Sequence, residues 1–518
     1  MVVKGYASAL HGVSATTITV EANATTTPEF ATFIIGLPDV SVKESLFRCD
    51  AAIRNSGYDA IRQKVVINLA PADIRKEGSS YDLPIAIAML AASFQISQDR
   101  MAEYIVMGEL GLDGRLLPIK GALPIAIQAM KDGFKGFILP VENAREAAIV
   151  KDLEVYGVRN LREAAAFLHG GFQLERTVVD PRGDFEQALN DYDVDFADVQ
   201  GQQNIKRAME IAAAGGHNIL LFGPPGAGKT MLARRLPTIM PPPTLSEALE
   251  TTKIHSVAGK TSLNSGLMAV RPFRAPHHTV SDVALVGGGN NPQPGEISLA
   301  HNGVLFLDEM PEFKRSVLEV LRQPLEERKV TISRARWSVD YPASFMLVAS
   351  MNPCPCGYYN HPTKACTCAP GNISRYLNKV SGPLLDRIDI HLEVMPVSHE
   401  ELTIRQNNGE KSEVIRERVI RARKIQAERY PKDSGIYHNA MLPSGKVAEY
   451  CPIPAAGQLL LKSAMQKLNL SARAYDKILK LSRTIADLAG SEGIEVAHLA
   501  EAIHFRSLDR EGGTPVGR

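Results

Sequence analysis

The chain lacks any apolar stretch approaching the ~18 residues that span a bilayer, and its opening residues, Met1-Val2-Val3-Lys4-Gly5-Tyr6, have no uninterrupted apolar run of a secretory signal. A cytoplasmic protein with no membrane partner is expected. Excess charge of either sign is also missing, because 58 Lys and Arg face 57 Asp and Glu for a net +1. Coating nucleic acid through overall basicity is thereby excluded, so any such contact must come from a local patch or a pore. Internal repeats and low-complexity segments are absent, and 45% hydrophobic with 22% charged residues leaves little room for extended disorder. Cysteine is scarce, six in all, and a reducing compartment disfavours disulfides. Four of the six nevertheless fall together, Cys354, Cys356, Cys366 and Cys368, while Cys49 and Cys451 read as structural.

What is present suggests an α/β protein of about three domains, since 518 residues exceed one compact core. Residues 1–172 alternate strand-like runs (Phe33-Ile34-Ile35, Val65 to Leu69) with helix-like ones (Leu83 to Phe94, Ala122 to Met130). Residues 173–198, acidic and broken by Pro181 and Gly183, read as a linker. From 199 to 395 the apolar runs Ile219 to Phe222, Val304 to Leu307 and Phe345 to Ala349 alternate with helices, which predicts a parallel sheet. Residues 396–511 predict a helical domain through Glu413 to Glu428, Ala456 to Leu468, Ala472 to Ala489 and Val496 to Phe505, with 512–518 a frayed tail.

The strongest motif is Gly223-Pro224-Pro225-Gly226-Ala227-Gly228-Lys229-Thr230, flanked by an apolar strand and the helix candidate Met231 to Leu236. Glycines let backbone N–H groups turn onto phosphate oxygens, the helix start adds its positive end, Lys229 supplies a point charge for the β- and γ-phosphates, and Thr230 would ligate magnesium. A glycine-rich turn preceding a helix by chance fits these flanks poorly. Val304-Leu305-Phe306-Leu307-Asp308-Glu309 is an apolar strand that ends in two acids. Asp308 would hold magnesium and Glu309 would polarise the attacking water; the alternative is a solvated strand end.

Together these segments resemble the nucleotide site of AAA+ ATPases, and the resemblance implies further roles. Asn352 is similar to the polar residue that helps orient the attacking water, Arg387 to the arginine finger reaching a neighbouring subunit's site, and Arg473 to the arginine of the helical lid. Val199 and Gly201 match the segment that borders the adenine. For each arginine the alternative is a surface salt bridge, and for Asn352 a turn residue before Pro353. The segments Arg271 to His278, Gly295 to Gly303, Asn352 to Gly357 and Arg483 to Leu488 resemble the magnesium-chelatase-like bacterial family of the YifB/ComM type over essentially the whole chain. That likeness implies a ring of subunits, usually six, using ATP and Mg²⁺ to move on single-stranded or branched DNA in helicase or branch-migration work.

Candidate DNA contacts are Arg271, Arg274, His277 and His278 beside Gly287 to Gly289, and Arg334, Arg336 and Trp337 near the tip of a hairpin expected within Thr331 to Phe345. Cations meet phosphates and the ring can stack on bases; ordinary exposed hairpins are the alternative. Residues 1–172 resemble the Lon-protease-like domain, also found in RadA-type recombination proteins, through Asn68 to Gly78. On that pattern Ser80 stands at the nucleophile, but Leu123 stands where its lysine belongs and Lys120 lies three residues earlier. Without that base the serine is hard to deprotonate, so a scaffold is expected. The four clustered cysteines could present thiolates to one zinc ion, with free thiols in a loop as the alternative. The rival functions are a chelatase-type remodelling ATPase and an ATP-dependent protease.

Overall fold

The computed structural model describes residues 2–27, 30–189, 191–261, 266–289, 292–334, 337–361, 363–396, 409–468 and 470–506. The chain opens with a long antiparallel hairpin, Val2–His11 against Ser14–Thr25, turning at Gly12 with φ +60°. Five more strands extend it into a seven-stranded sheet in the order Thr32–Ile35, Lys64–Ala70, Ser14–Thr25, Val2–His11, Tyr104–Val106, Gly136–Pro140 and Glu154–Val158. The last three pair in parallel, as does Thr32–Ile35 with Lys64–Ala70. Lys64–Ala70 alternates buried and half-exposed residues, the period-two pattern of a strand with one covered face. Helix Asp82–Ala92 is buried along its whole length, and its Asp82 is held by Arg48 (Nε–Oδ2 2.7 Å) and the Leu110 N–H. Helix Ala122–Lys131 packs against Leu245–Val257, so Ala248, Leu267 and Ala269 complete this first core.

The stretch expected as a linker contains helix Pro181–Ala188, with proline at the first helical position where no N–H is needed, and a short turn Phe196–Asp198. Beyond it lies a five-stranded, all-parallel sheet in the order Phe273–Arg274, Val304–Leu307, Met346–Met351, Ile219–Phe222 and Ile390–Glu393. Its three central strands are buried throughout, as parallel strands covered on both faces should be. Phe273–Arg274 and Ile390–Glu393 are the edge strands absent from the sequence reading.

The helical region follows the predicted boundaries closely: Ser412–Arg429, Ala455–Lys467, Ala472–Ala489 and Val496–His504. It shares one core with helix Gln203–Gly215 and with inward residues of the parallel sheet. Among the described residues no helix is long and apolar enough to cross a membrane.

Candidate active site

In an open parallel sheet the strand carboxyl ends face a common crevice, where ligands bind. Strands Ile219–Phe222, Val304–Leu307 and Met346–Met351 deliver Gly223, Asp308 and Asn352 to that edge. Gly223 must be glycine, because a Cβ there would lie 2.1 Å from the Val394 carbonyl oxygen. Gly228 caps helix Lys229–Ile239 in the left-handed region, φ +87°, a conformation open to glycine at little cost.

Lys229 is buried, and its ammonium donates to the carbonyl oxygens of Gly223 and Pro224 and to Asn352 Oδ1 at 2.7 Å. Burial pushes this amine down to about 8 against the opposing pull of Asp308 and Glu309. Asn352 in turn donates toward Glu309 Oε1 at 3.4 Å. Thr230 Oγ1 donates to Asp308 Oδ2 at 2.8 Å, so a hydroxyl and a carboxylate, two hard oxygen donors suited to magnesium, stand side by side. The site thus holds one cation, two acids of different exposure and a polar bridge between them. Such an arrangement can cradle a polyphosphate, retain a magnesium ion and orient a water for attack.

Ser350 was not singled out from sequence, yet it organises both acids. Its hydroxyl donates to Asp308 Oδ1 at 2.5 Å and accepts from the Glu309 N–H at 2.9 Å. Gln202 was likewise missed. Its amide spans the Ala227 and Met395 carbonyls at 3.1 and 3.0 Å, tying the segment containing Val199 and Gly201 to the phosphate loop. Val199 is buried and Gly201 has φ +59°. Arg235, on the phosphate-loop helix, grips the same segment through Asp198 at 2.7 Å and the Asp195 carbonyl at 2.8 Å.

Arg387 is tied within its own chain to Glu326 and to the Pro383 carbonyl. Arg473 is exposed in the first turn of helix Ala472–Ala489, and among the described residues no hydrogen bond or ion pair joins it to the phosphate loop. The four cysteines converge, their Sγ atoms all within 4.8 Å of one another.

Two of the four arginines expected to meet DNA, Arg271 and Arg274, are engaged internally. Arg271, 9% exposed, fastens the Pro241 and Asn302 carbonyls at 2.6 and 2.7 Å and pairs with Glu247. Arg274 makes a two-point contact with Glu296 at 2.6 and 2.8 Å. His277 is exposed, and its ring lies 4.0 Å from that of His278, which meets Phe313 edge-on. The expected hairpin is formed by Lys329–Arg334 and Trp337–Pro342, with Arg334 opposite Trp337 as its outermost described pair. Arg336 lies outside the described residues.

In the first domain, Leu123 is fully buried and Lys120 lies along Gly259 of the neighbouring domain. Ser79, next to Ser80, donates to Glu109 Oε2 at 2.5 Å.

A parallel sheet with a phosphate loop, an acidic strand end and a helical lid defines the class, the AAA+ type of P-loop protein. Residues 195–402 match the family description "Magnesium chelatase, subunit ChlI", residues 20–143 "Subunit ChlI of Mg-chelatase" and residues 409–506 "Magnesium chelatase, subunit ChlI C-terminal". The chain is 43% identical to Competence protein ComM of Haemophilus influenzae, covering 98% of this chain and 97% of that protein. It is 44% identical to uncharacterized protein YifB of Escherichia coli, over 96% of each. Lon protease 2 of Bacillus subtilis is 28% identical over 28% of this chain and 27% of its own length, and the likeness concerns the N-terminal part. The chain belongs to the magnesium-chelatase-like AAA+ family that includes ComM and YifB.

Proposed function

We propose that this chain hydrolyses ATP with Mg²⁺ as a ring-forming motor, a hexamer, and spends the energy moving on single-stranded or branched DNA in the cytoplasm. The reading takes residues 1–172 as a Lon-like scaffold, 199–395 as the ATPase core and 396–511 as the lid. The observation that carries it is the run of contacts from Lys229 through Asn352 to Glu309, set beside the Thr230–Asp308 pair. Phosphoryl transfer needs a charge on the phosphates, a magnesium ligand and a water-polarising carboxylate within one pocket, and these side chains supply each. Lys229 would exchange its loop carbonyls for β- and γ-phosphate oxygens. Asp308 and Thr230 would hold the magnesium ion, which screens the phosphate charge. Glu309, the more exposed acid, would draw the proton from water.

Support for DNA as substrate comes from the hairpin bearing Arg334 and Trp337, the exposed His277, and the competence assignment in the name of a relative 43% identical. Arg271 and Arg274 are left out of this surface, since Glu247 and Glu296 already occupy their guanidinium groups. A working protease is disfavoured because Leu123 offers Ser80 no base. The deciding experiment measures ATP turnover with and without single-stranded and branched DNA. Stimulation by DNA is expected; turnover that responds to a protein partner and not to DNA would favour the remodelling role and defeat the DNA assignment.

A further inference from the structure

Past the strand Met346–Met351 the chain enters a loop that, among its described residues from 352 to 368, forms neither helix nor strand. Backbone ladders therefore do not fix it, yet it carries Asn352, whose side chain bridges Lys229 and Glu309. Four cysteines lie at its two ends. Cys354 Sγ is 3.3 Å from Cys356 Sγ and 3.7 Å from Cys366 Sγ, while Cys356 and Cys366 are 3.5 Å apart. Four thiolates at ~2.3 Å around a tetrahedral zinc ion are separated by edges of about 3.8 Å, and these sulfurs already stand close to that spacing. The sulfurs also accept backbone N–H groups, from Tyr359 to Cys354 at 3.3 Å and from Cys368 to Cys366 at 3.4 Å. Donors aimed at sulfur suit thiolates, and contacts of this kind orient metal ligands.

A second observation joins this cluster to the nucleotide site. Gly357, one residue past Cys356, has φ +83°, and a Cβ placed on it would lie 2.4 Å from Pro225 Cδ. The cysteine loop is thus pressed backbone-first against the phosphate loop. Cys354 is fully buried in the core on this side of the sheet, and Cys356, Cys366 and Cys368 pack against it.

We infer that Cys354, Cys356, Cys366 and Cys368 bind one zinc ion in a closed four-thiolate site, and that this site fastens the loop bearing Asn352 onto the phosphate loop at Pro225. Four protein ligands leave no open position, so the metal is structural and takes no part in hydrolysis. Its effect is positional: a loop without secondary structure is given two fixed ends, one of them two residues from Asn352. The second half of the inference rests on the ATPase reading, whereas the first does not.

The test uses the full chain. Metal analysis of the purified protein should find one zinc per chain, and replacement by cobalt should give the intense visible bands of tetrahedral thiolate coordination. The double variant Cys366→Ser with Cys368→Ser should lose the metal. Gly357→Ala should keep the metal and still weaken binding of a fluorescent ATP analogue by about tenfold, the scale at which outer contacts of metal sites act. Gly357→Ala also covers the case in which the cysteine variant fails to fold. Protein without zinc, or with iron in its place, overturns the site. Zinc-bound Gly357→Ala protein with wild-type nucleotide affinity overturns the fastening. A chain that holds zinc but binds no ATP keeps the site and sinks the ATPase reading separately.

Discussion

Glu309 occupies backbone that side chains rarely adopt, φ +52° and ψ +51°. Such a conformation costs on the order of 1–3 kcal/mol and persists only where surrounding contacts hold it. Here the holder is Ser350, whose hydroxyl accepts the Glu309 N–H and donates to Asp308. Ser350→Ala should therefore misplace both acids at once and lower ATP turnover by about 10- to 100-fold, as loss of a ligand-orienting contact does. Glu309→Gln should preserve nucleotide binding and reduce turnover by at least about 100-fold, the lower bound of a general-base contribution. A steady-state ATPase assay beside equilibrium nucleotide titration separates the two effects. Undiminished hydrolysis in Glu309→Gln would assign the water-polarising role to a different group.

Lys229 gives a pH dependence whose sign can be worked out. Without nucleotide its amine is pushed down to about 8 by burial, and phosphate oxygens would restore it to the ordinary range. Below pH 8 the amine is charged in both states and affinity is flat. Above pH 8 binding must take up a proton, so ATP affinity should fall by up to about tenfold per pH unit. Titrations from pH 7 to 9.5 check this, and the slope should vanish in Lys229→Met.

At the scale of elements, the lid is joined to the sheet through a buried ionic cluster. Lys477 on helix Ala472–Ala489 reaches Asp389 Oδ1 at 2.8 Å, and Asp389 Oδ2 accepts the Asn218 N–H at 2.9 Å, just before strand Ile219–Phe222. Burial raises the Asp389 carboxyl, but Lys477 and His217 outweigh it and hold the group well below the usual carboxylate range. Lys477→Met would leave that acid buried without its cation, at a cost of about 3–5 kcal/mol. Thermal unfolding should shift down, and limited proteolysis should release the helices after 409 before the sheet. A variant as stable as the parent would show that the lid is held elsewhere.

The same scale shows what was legible in the sequence. The phosphate loop and acidic strand end were readable because each carries its chemistry within eight consecutive residues. The helices after 409 were readable through their periodicity. Ser350 and Gln202 were not, since their partners lie as far as 42 and 193 residues away and a lone serine or glutamine carries no spacing signal. The edge strands Phe273–Arg274 and Ile390–Glu393 are too short for a pattern. Arg271 and Arg274 show the limit of reading charge alone, because nothing local says whether a guanidinium will find a phosphate or Glu247 and Glu296.

At the scale of the molecule, Arg387 bears on assembly. Its guanidinium is held by Glu326 and the Pro383 carbonyl in the single chain, so serving a neighbour's site would require it to leave Glu326. Arg387→Ala should leave folded subunits with turnover reduced about 10³-fold, the lower range of an arginine finger. Mixing with Lys229→Ala subunits should restore part of the activity, since some junctions then pair an intact phosphate loop with an intact arginine. Absence of rescue at any mixing ratio would argue against a site shared between copies.

The shared packing of helix Leu245–Val257 has a consequence for biogenesis. Ala248, Leu267 and Ala269 fill the core of the first domain, and Ser256 and Thr261 satisfy its Glu146. As the nascent chain leaves the ribosome, residues 1–172 emerge without these partners and wait for about a hundred more residues, some 5–20 seconds at ordinary elongation rates. Over that interval an apolar face built for the ATPase stands open to chaperones.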